Sequence, residues 1–231
     1  MLARRLMMAG GVGVAGAVTG SNTDTDNTTG FSSKSSETFS SKSFGAADSG
    51  RTIYVAIMAG HSDTITDEVV SSVTIGGVSA SVVKRSNHDN SGNFPFEACI
   101  WKAAVPTGTT GDVVVNYNNA PSNAVGMAIS IYRVLGESGT LYDFATDTAS
   151  SLTLDVDTVV NGFVIACAAT QNGTALSWSG VTEDIGVDVN TNEYFSAGSL
   201  SVTSASTPLA VSPSAGGSAA RAGVSISLQP A

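Results

Sequence analysis

The sequence RTIYVAIMAG, at residues 51–60, is the stretch that decides the fold. It is an apolar run of strand length, and a second run of the same kind, NGFVIACAAT, follows at residues 161–170. A continuous apolar run that is rich in β-branched and aromatic residues and bounded by glycine is typical of a strand buried on both faces. Two such strands in similar contexts predict an all-β fold built from two similar halves.

The order of strand-like segments after each run supports this interpretation. The offset is 110 residues from Ile53 to Phe163, 103 from Val73 to Leu176, and 95 from Ile129 to Val224. Related halves with shortened loops would give this shrinking spacing, and chance similarity between β-rich segments is the other explanation. The strand count predicts a two-sheet antiparallel β-sandwich, of the jelly-roll or immunoglobulin-like kind, over residues 44–231.

Composition agrees with an all-β chain and argues against one class of partner. Charged residues make up only 13% of the chain, and Thr, Val, Ser and Gly supply what strands and tight turns need. The formal net charge is −9, and the part after residue 42 holds 16 acidic and six basic residues. Such a body is repelled by phosphate backbones, so no nucleic-acid partner is expected.

The first 20 residues, MLARRLMMAGGVGVAGAVTG, admit two interpretations. Basic residues before an apolar run, followed by the small-residue sequence Ala15-Gly16-Ala17, form the pattern of a secretory signal peptide. The alternative is an uncleaved arm that docks against a partner subunit. The candidate anchoring residues of that arm are Leu2, Arg4, Arg5, Leu6, Met7 and Met8.

Residues 21–43 form a Ser/Thr/Asn-rich tract with the isolated aromatics Phe31 and Phe39. Such a tract cannot bury enough apolar surface to fold alone. Residues 1–43 are therefore predicted to be an extended N-terminal arm and flexible polar tract outside the sandwich domain. The tract is expected either to lie along another surface or to pair as an edge strand. Phe31 and Phe39 would then be anchors on a partner, or would pack on the chain's own domain, as lone aromatics in a polar tract more often do.

No catalytic motif stands out, so neither enzymatic activity nor a catalytic residue is predicted. His61 and His88 lie in polar segments without the spacing of metal ligands. There is no G-x-S-x-G motif. A glycosidase needs two positioned carboxylates, and the available acids are generic: Asp143, Asp147, Glu183 and Asp184.

No cofactor is predicted, and calcium is the one alternative. Two pairs of acids place oxygen ligands two residues apart, as calcium-binding loops do: Asp24 with Asp26, and Asp155 with Asp157. Neither pair has the glycine turn and distal glutamate of an EF-hand loop. A solvated turn is the simpler interpretation of both.

The cysteines and tryptophans fall inside strand-like segments. Cys99 and Cys167 are expected to be buried free thiols, and a disulfide would require their strands to face each other. Trp101 and Trp178 have apolar neighbours, which favours core packing over a sugar-stacking platform.

Several segments resemble small β-sandwich proteins of tailed bacteriophages and prophages. They are VTIGGVSASVV at residues 73–83, VPTGTTGDVVVNY at 105–117, AVGMAISIYRVLG at 124–136, NGFVIACAAT at 161–170 and GVSISLQP at 223–230. The resemblance covers roughly residues 44–231. It implies a virion structural component of the capsid decoration, head-fibre or minor tail type, with no catalytic residues.

The resemblance also implies a set of partners. These are other virion proteins, namely capsid or tail subunits, and further copies of the chain in a homo-oligomer on the particle. A host-surface glycan is a further partner that the sequence leaves open. The competing expectation is a secreted bacterial adhesin or carbohydrate-binding module whose signal peptide is cleaved.

Overall fold

The computed structural model describes residues 16–62, 68–88, 95–123, 125–171, 175–190, 193–214 and 221–231. In these ranges the chain forms antiparallel strands and no helix. The first half contains β1 (Thr19–Phe31), β2 (Ser36–Ser43), β3 (Thr52–Gly60), β4 (Val70–Ile75), β5 (Val78–Ser79), β6 (Ser81–His88), β7 (Phe96–Ala104), β8 (Thr110–Tyr117) and β9 (Val125–Leu135). The second half contains β10 (Glu137–Asp147), β11 (Val156–Thr158), β12 (Phe163–Gln171), β13 (Ser177–Ser179), β14 (Thr182–Asn190), β15 (Glu193–Ser201), β16 (Ser206–Leu209), β17 (Ser212–Ser214) and β18 (Arg221–Pro230).

The strands form four layers. Sheet A has the order β1-β9-β3-β7-β6, and sheet B, with the order β2-β8-β4-β5, covers one of its faces. Sheet C has the order β10-β18-β12-β15-β14 and packs on the other face of sheet A. The pairs β11-β16 and β13-β17 cover the outer face of sheet C. Three apolar clusters fill the three spaces between the layers.

The two halves have the same topology. The strands of sheets A and C correspond one to one in the same spatial order. β1, β9, β3, β7 and β6 of sheet A correspond to β10, β18, β12, β15 and β14 of sheet C. The pairing of β2 and β4 with β8 recurs as β11 with β16 and β13 with β17. The predicted antiparallel sandwich with two similar halves is confirmed. The structure adds that each half is a sandwich of its own and that the two are stacked.

This stacking explains the two apolar runs that predict the fold. β3 and β12 are the central strands of sheets A and C, and each of these sheets is covered on both faces. Every residue of β3 after Thr52 is buried, and so is every residue of β12 before Gln171. Such strands need apolar residues at consecutive positions rather than at alternate ones.

Two of the three residue pairs that were compared between the halves are mismatched by one residue. Ile53 packs in the cluster between sheets A and B, whereas Phe163 packs in the cluster between sheets A and C. Val164, the next residue, lies in the outer cluster of the second half, which is the place equivalent to that of Ile53. A shift of one residue exchanges the two faces of a strand. The pair Ile129 and Val224 differs in the same way, and Val73 and Leu176 are matched correctly.

The polar tract at residues 19–43 belongs to the body of the protein. β1 pairs along β9 as an edge strand of sheet A, and β2 pairs along β8 as an edge strand of sheet B. The edge-strand expectation is therefore correct, and the sandwich begins before residue 44. Strand pairing uses backbone groups, so a Ser/Thr/Asn-rich sequence can pair once a neighbouring strand supplies the apolar surface.

Candidate functional site

Most of the predicted anchoring residues lie outside the described part of the chain: Leu2, Arg4, Arg5, Leu6, Met7 and Met8. The backbone of Phe31 pairs with Val125, and its side chain also falls outside the description. Phe39 is 4% exposed and packs between sheets A and B. Phe39 thus contributes to the core of its own chain and does not offer a surface to a partner.

The described chain starts at the junction between the two halves. The backbone N–H of Val18 donates to the carbonyl of Asn161 at 2.8 Å, and the Val18 side chain packs between sheets A and C. Gly136, which links β9 to β10 at a φ of 73°, lies against the carbonyl of Ala17. Residues 1–15, whether arm or signal peptide, therefore join the body at a fixed point.

Arg51 is a buried side chain that ties three segments together. It is 1% exposed. Its Nε donates to Val105 O at 2.6 Å, and its Nη1 lies 3.0–3.2 Å from the carbonyls of residues 44–46. Its Nη2 donates to Thr107 O at 2.9 Å and Gly108 O at 2.7 Å. The guanidinium thereby joins the segments before β3 and after β7 to the start of β3.

Glu97 is a second buried charged group with a structural contact. Its Oε2 accepts the backbone N–H of Val70 at 2.9 Å, and its Oε1 lies 3.7 Å from Nη1 of Arg85. Arg85 also lies 3.3 Å from Glu68 and over the ring of Trp101. Burial raises the pKa of Glu97, with the bond from Val70 opposing the shift. This group fixes the start of β4 against β7.

Glu193 lies at the contact between the two halves. It is 4% exposed, and its carboxylate from sheet C sits against two glycines of sheet A, Gly60 and Gly126. A Cβ at Gly60 would lie 3.1 Å from Oε1, so a larger residue there would displace the carboxylate. Burial raises the pKa of Glu193 to about 7, the backbone N–H of Gly126 opposes this shift, and Asp188 adds to it.

The two histidines differ in their environment. His61 is fully buried rather than solvated, with Nε2 2.9 Å from the carbonyl of Asn119 and its ring 5.9 Å from that of Tyr117. His88 ends β6 and is partly exposed. Their sequence neighbours Asp63 and Asp89 lie outside the described residues.

The acids considered for calcium have partners within the chain. Lys42 Nζ lies 2.6 Å from Asp26 and 3.9 Å from Asp24. Asp155 accepts the backbone N–H of Val211 at 3.0 Å, and the backbone N–H of Asp157 donates to the carboxylate of Asp143 at 2.7 Å. Within the described ranges, no group of three or more His, Cys, Asp or Glu side chains is placed to hold a metal ion.

The acids considered for glycoside hydrolysis are engaged separately. Asp143 accepts the backbone N–H of Asp157 at 2.7 Å, and Asp147 accepts those of Ala149 and Thr153. On β14, Glu183 accepts a hydrogen bond from Ser196 Oγ at 2.7 Å, and Asp184 accepts one from Tyr132 at 3.0 Å. These contacts cap backbone groups and fix side chains, and they do not form a carboxylate pair.

The cysteines and tryptophans pack in cores as predicted. Cys99 and Cys167 are buried free thiols, and their side chains point into different clusters, which explains the absence of a bridge between them. Burial raises the pKa of both thiols. Trp101 is 5% exposed. Trp178 lies at the margin of the outer cluster of the second half and donates to Ser196 Oγ at 2.7 Å.

The sequence signals of the buried charged groups are modest. Glu97 interrupts an apolar strand, FEACIWKAA, and Arg51 directly precedes another. A charged residue in or beside a continuous apolar run indicates a buried, partnered group. His61 directly follows the apolar run that Arg51 precedes, so the same reasoning indicates its burial. Glu193 carries a weaker signal, because polar residues precede it.

Comparison of the chain with family models, with curated proteins and with solved structures finds no match. In the part of the chain that the structure describes, no helix is long and apolar enough to cross a membrane.

Proposed function

We propose that this protein is a non-enzymatic structural component of a bacteriophage virion. In this proposal the double sandwich is displayed on the particle, next to capsid or tail subunits and further copies of itself, and residues 1–15 anchor it. The segments that resemble phage sandwich proteins support the proposal. They fall on β4–β6, β8, β9, β12 and β18, which are strands of the body rather than variable loops.

The observation that carries the proposal is how the buried polar groups are used. Arg51 donates to carbonyls of the segments before β3 and after β7. Glu97 accepts the backbone N–H at the start of β4, and Ser225 donates to Leu154 O at 2.6 Å. Buried hydrogen bonds between side chains and the backbone, such as these, restrict the arrangement of the segments that they join. A body that is held in this way suits a displayed building block.

Removal of residues 1–15 tests the anchoring role. The variant keeps the contact between Val18 and Asn161 and the whole of β1, so its thermal unfolding midpoint is expected to match that of the intact chain. We expect it to be lost from purified particles that are assembled with the variant in place of the intact chain. Quantitative mass spectrometry of the particles measures this.

The control replaces residues 1–15 by a Gly/Ser segment of equal length. It is expected to behave like the deletion, because flexible length without the apolar and basic side chains supplies no anchor. Incorporation of either variant at the level of the intact chain would show that the body itself attaches the protein to the particle.

A second candidate is a secreted adhesin or carbohydrate-binding module. The observation that favours it is a pair of exposed aromatics on β10, Tyr142 and Phe144. The mass of the N-terminal peptide of the native protein separates the two candidates. A chain that starts near Val18 indicates export and cleavage, and one that starts at Met1 indicates a retained arm.

A further inference from the structure

Two sheet edges meet along one side of the molecule and form a cleft. β6 is an edge strand of sheet A and β10 is an edge strand of sheet C. Lys84 Nζ of β6 lies 3.3 Å above the ring of Phe144 on β10. Lys102 of β7 donates to the carbonyl of Gly139 on β10 at 3.1 Å. We call this region the β6–β10 cleft and define it by Lys84, Lys102, Tyr142 and Phe144.

The cleft exposes aromatic surface. Tyr142 is 43% exposed and Phe144 is 46% exposed, and the less exposed Asp143 lies between them. Both rings belong to the edge strand β10, whose pairing with β18 shifts register between Leu141 and Asp143. Among the described residues, these are the two aromatic side chains with the largest exposed fractions. Exposed aromatic surface beside polar groups marks an interaction site more often than a scattered apolar residue does.

The cleft also carries positive charge on an acidic protein. The chain has a net charge of −9, yet Lys84 and Lys102 both border the cleft. Lys84 has no carboxylate within 4 Å in the described part of the chain, whereas Lys102 lies 3.9 Å from Glu137. The nearby Asp143 and Asp147 accept backbone N–H groups elsewhere. The ammonium of Lys84 contacts the ring of Phe144 and is not neutralised by a carboxylate of the described residues.

A groove adjoins the cleft at Lys102. It has a volume of about 380 Å³ and is lined by Thr52, Ser79, Ala80, Ser81, Lys102, Ala103 and Ala104. Three of these residues carry hydroxyl groups, and Ser81 pairs directly across from Lys102. The groove thus places hydrogen-bond donors and acceptors next to the ammonium of Lys102.

We propose that the β6–β10 cleft binds an acidic polysaccharide of the uronic-acid type. Tyr142 and Phe144 contact the apolar C–H faces of the sugar rings, and Lys84 binds a carboxylate. Thr52, Ser79 and Ser81 exchange hydrogen bonds with sugar hydroxyls. The combination of apolar surface with a few placed polar groups is what small-ligand sites use for affinity and orientation. This inference goes beyond the proposed function, since it applies equally to a displayed and to a secreted protein.

Charge distinguishes this ligand from a second copy of the chain. A partner strand added to the edge of β10 would cover Lys84 with a protein of the same net charge of −9. A covered cation without a carboxylate is costly. A polyuronate instead supplies a carboxylate on every sugar. Because the body as a whole repels polyanions, retention on such a polymer requires a local site.

Native affinity electrophoresis of the intact protein tests the proposal, with polygalacturonate in one gel and neutral dextran in another. The wild-type protein is expected to be retarded by polygalacturonate and not by dextran. Lys84→Met is expected to weaken the apparent affinity by about tenfold, since a hydrogen bond to a charged group contributes on this scale. Phe144→Leu keeps apolar bulk, removes the aromatic ring and is expected to weaken the apparent affinity as well. Both variants lose the contact between Lys84 and the Phe144 ring, so each is expected to unfold slightly below the wild-type temperature, and binding is compared where all the proteins are folded.

The control is Lys34→Met, which makes the same charge change in the turn between β1 and β2, where the lysine side chain is 59% exposed. It is expected to bind like wild type. Absence of retardation in polygalacturonate, equal retardation in dextran, or wild-type binding by Lys84→Met would each overturn the proposal. A dimer in light scattering that Phe144→Leu dissociates would overturn it as well, because the cleft would then be a subunit contact. None of these outcomes depends on particle incorporation, so the proposed function is tested separately.

Discussion

Replacement of Arg51 by methionine is expected to lower the free energy of unfolding by about 3–5 kcal/mol. The guanidinium reaches six backbone carbonyls, at residues 44, 45, 46, 105, 107 and 108. Methionine fills a similar volume without a donor, so these carbonyls lose the hydrogen bonds from Arg51 while packing is largely kept, and Ala46 O keeps the bond from Arg133. Each buried carbonyl that stays unsatisfied costs about 1–3 kcal/mol, and the carbonyls nearer the surface regain water.

Two further variants separate the donor count from the charge. Arg51→Lys keeps the charge but has one nitrogen with three donors, so it is expected to lose an intermediate amount of stability. Arg133→Met removes a donor from an exposed contact, Arg133 Nε to Ala46 O at 2.8 Å. That change is expected to cost less than about 1 kcal/mol.

Equilibrium urea unfolding of the three variants provides the measurement. Trp101, in the core of the first half, reports on the region that Arg51 holds together. If Arg51→Met unfolds at the same urea concentration as Arg133→Met, the six contacts do not stabilise the body, and the structural role assigned to Arg51 is wrong.

The fold class could be predicted because the central strands are unusual. β3 and β12 are covered on both faces, and this requires the continuous apolar runs that the sequence shows. The same property hides the register. A strand that is apolar on both faces has no alternation to mark which residue faces which layer. The sequence therefore pairs Ile53 of the first half with Phe163 of the second, although Val164 is the structural equivalent.

The edge strands could not be located by the same reasoning. β1 has the sequence TGSNTDTDNTTGF and is joined to β2 by polar contacts, such as Lys42 with Asp26. Its pairing with β9 depends on backbone groups and on the presence of a partner strand. Composition alone predicts a disordered tract for such a sequence, and only the possible edge-strand role of the tract pointed to its place in the body.

The candidate sites depend on which surfaces the layers cover. Phe39 and Phe144 both lie on edge strands, β2 and β10, yet Phe39 is 4% exposed and Phe144 is 46% exposed. The difference arises because Phe39 faces sheet A from sheet B, whereas Phe144 lies at the edge where β10 meets β6. The sequence predicts that the chain has two similar halves, but it does not predict that they stack or which surfaces the stacking covers.

Glu193 is expected to make the stability of the protein depend on pH between about 4.5 and 7. The pKa of this carboxyl is raised from 4.5 to about 7 in the folded protein, chiefly because it is buried between the halves. Between these two values the folded protein keeps a proton that the unfolded chain releases. The contribution of Glu193 to stability is therefore fully present below about pH 4.5 and is lost as the pH rises through about 7, by about 3 kcal/mol in total.

The variant Glu193→Gln isolates this contribution, because glutamine keeps the shape of the protonated carboxyl and does not titrate. Other buried acids act in the same direction, since the pKa values of Glu97 and Asp184 are also raised by burial. The informative quantity is the difference in unfolding free energy between Glu193→Gln and wild type, measured by urea unfolding from pH 4 to pH 8. Glu68→Gln serves as the control for the loss of one acidic group, because it makes the same change at a side chain that is 52% exposed.

The difference curve is expected to be flat below about pH 4.5 and to rise in favour of Glu193→Gln up to about pH 7, because only the wild-type protein must then bury a carboxylate. Asp188→Asn should reduce the rise, since Asp188 adds to the pKa shift of Glu193. A difference curve between Glu193→Gln and wild type that stays level over the whole range would mean that the folded protein holds Glu193 ionised. The contact of this carboxylate with Gly60 and Gly126 would then have to include a compensating charge or water.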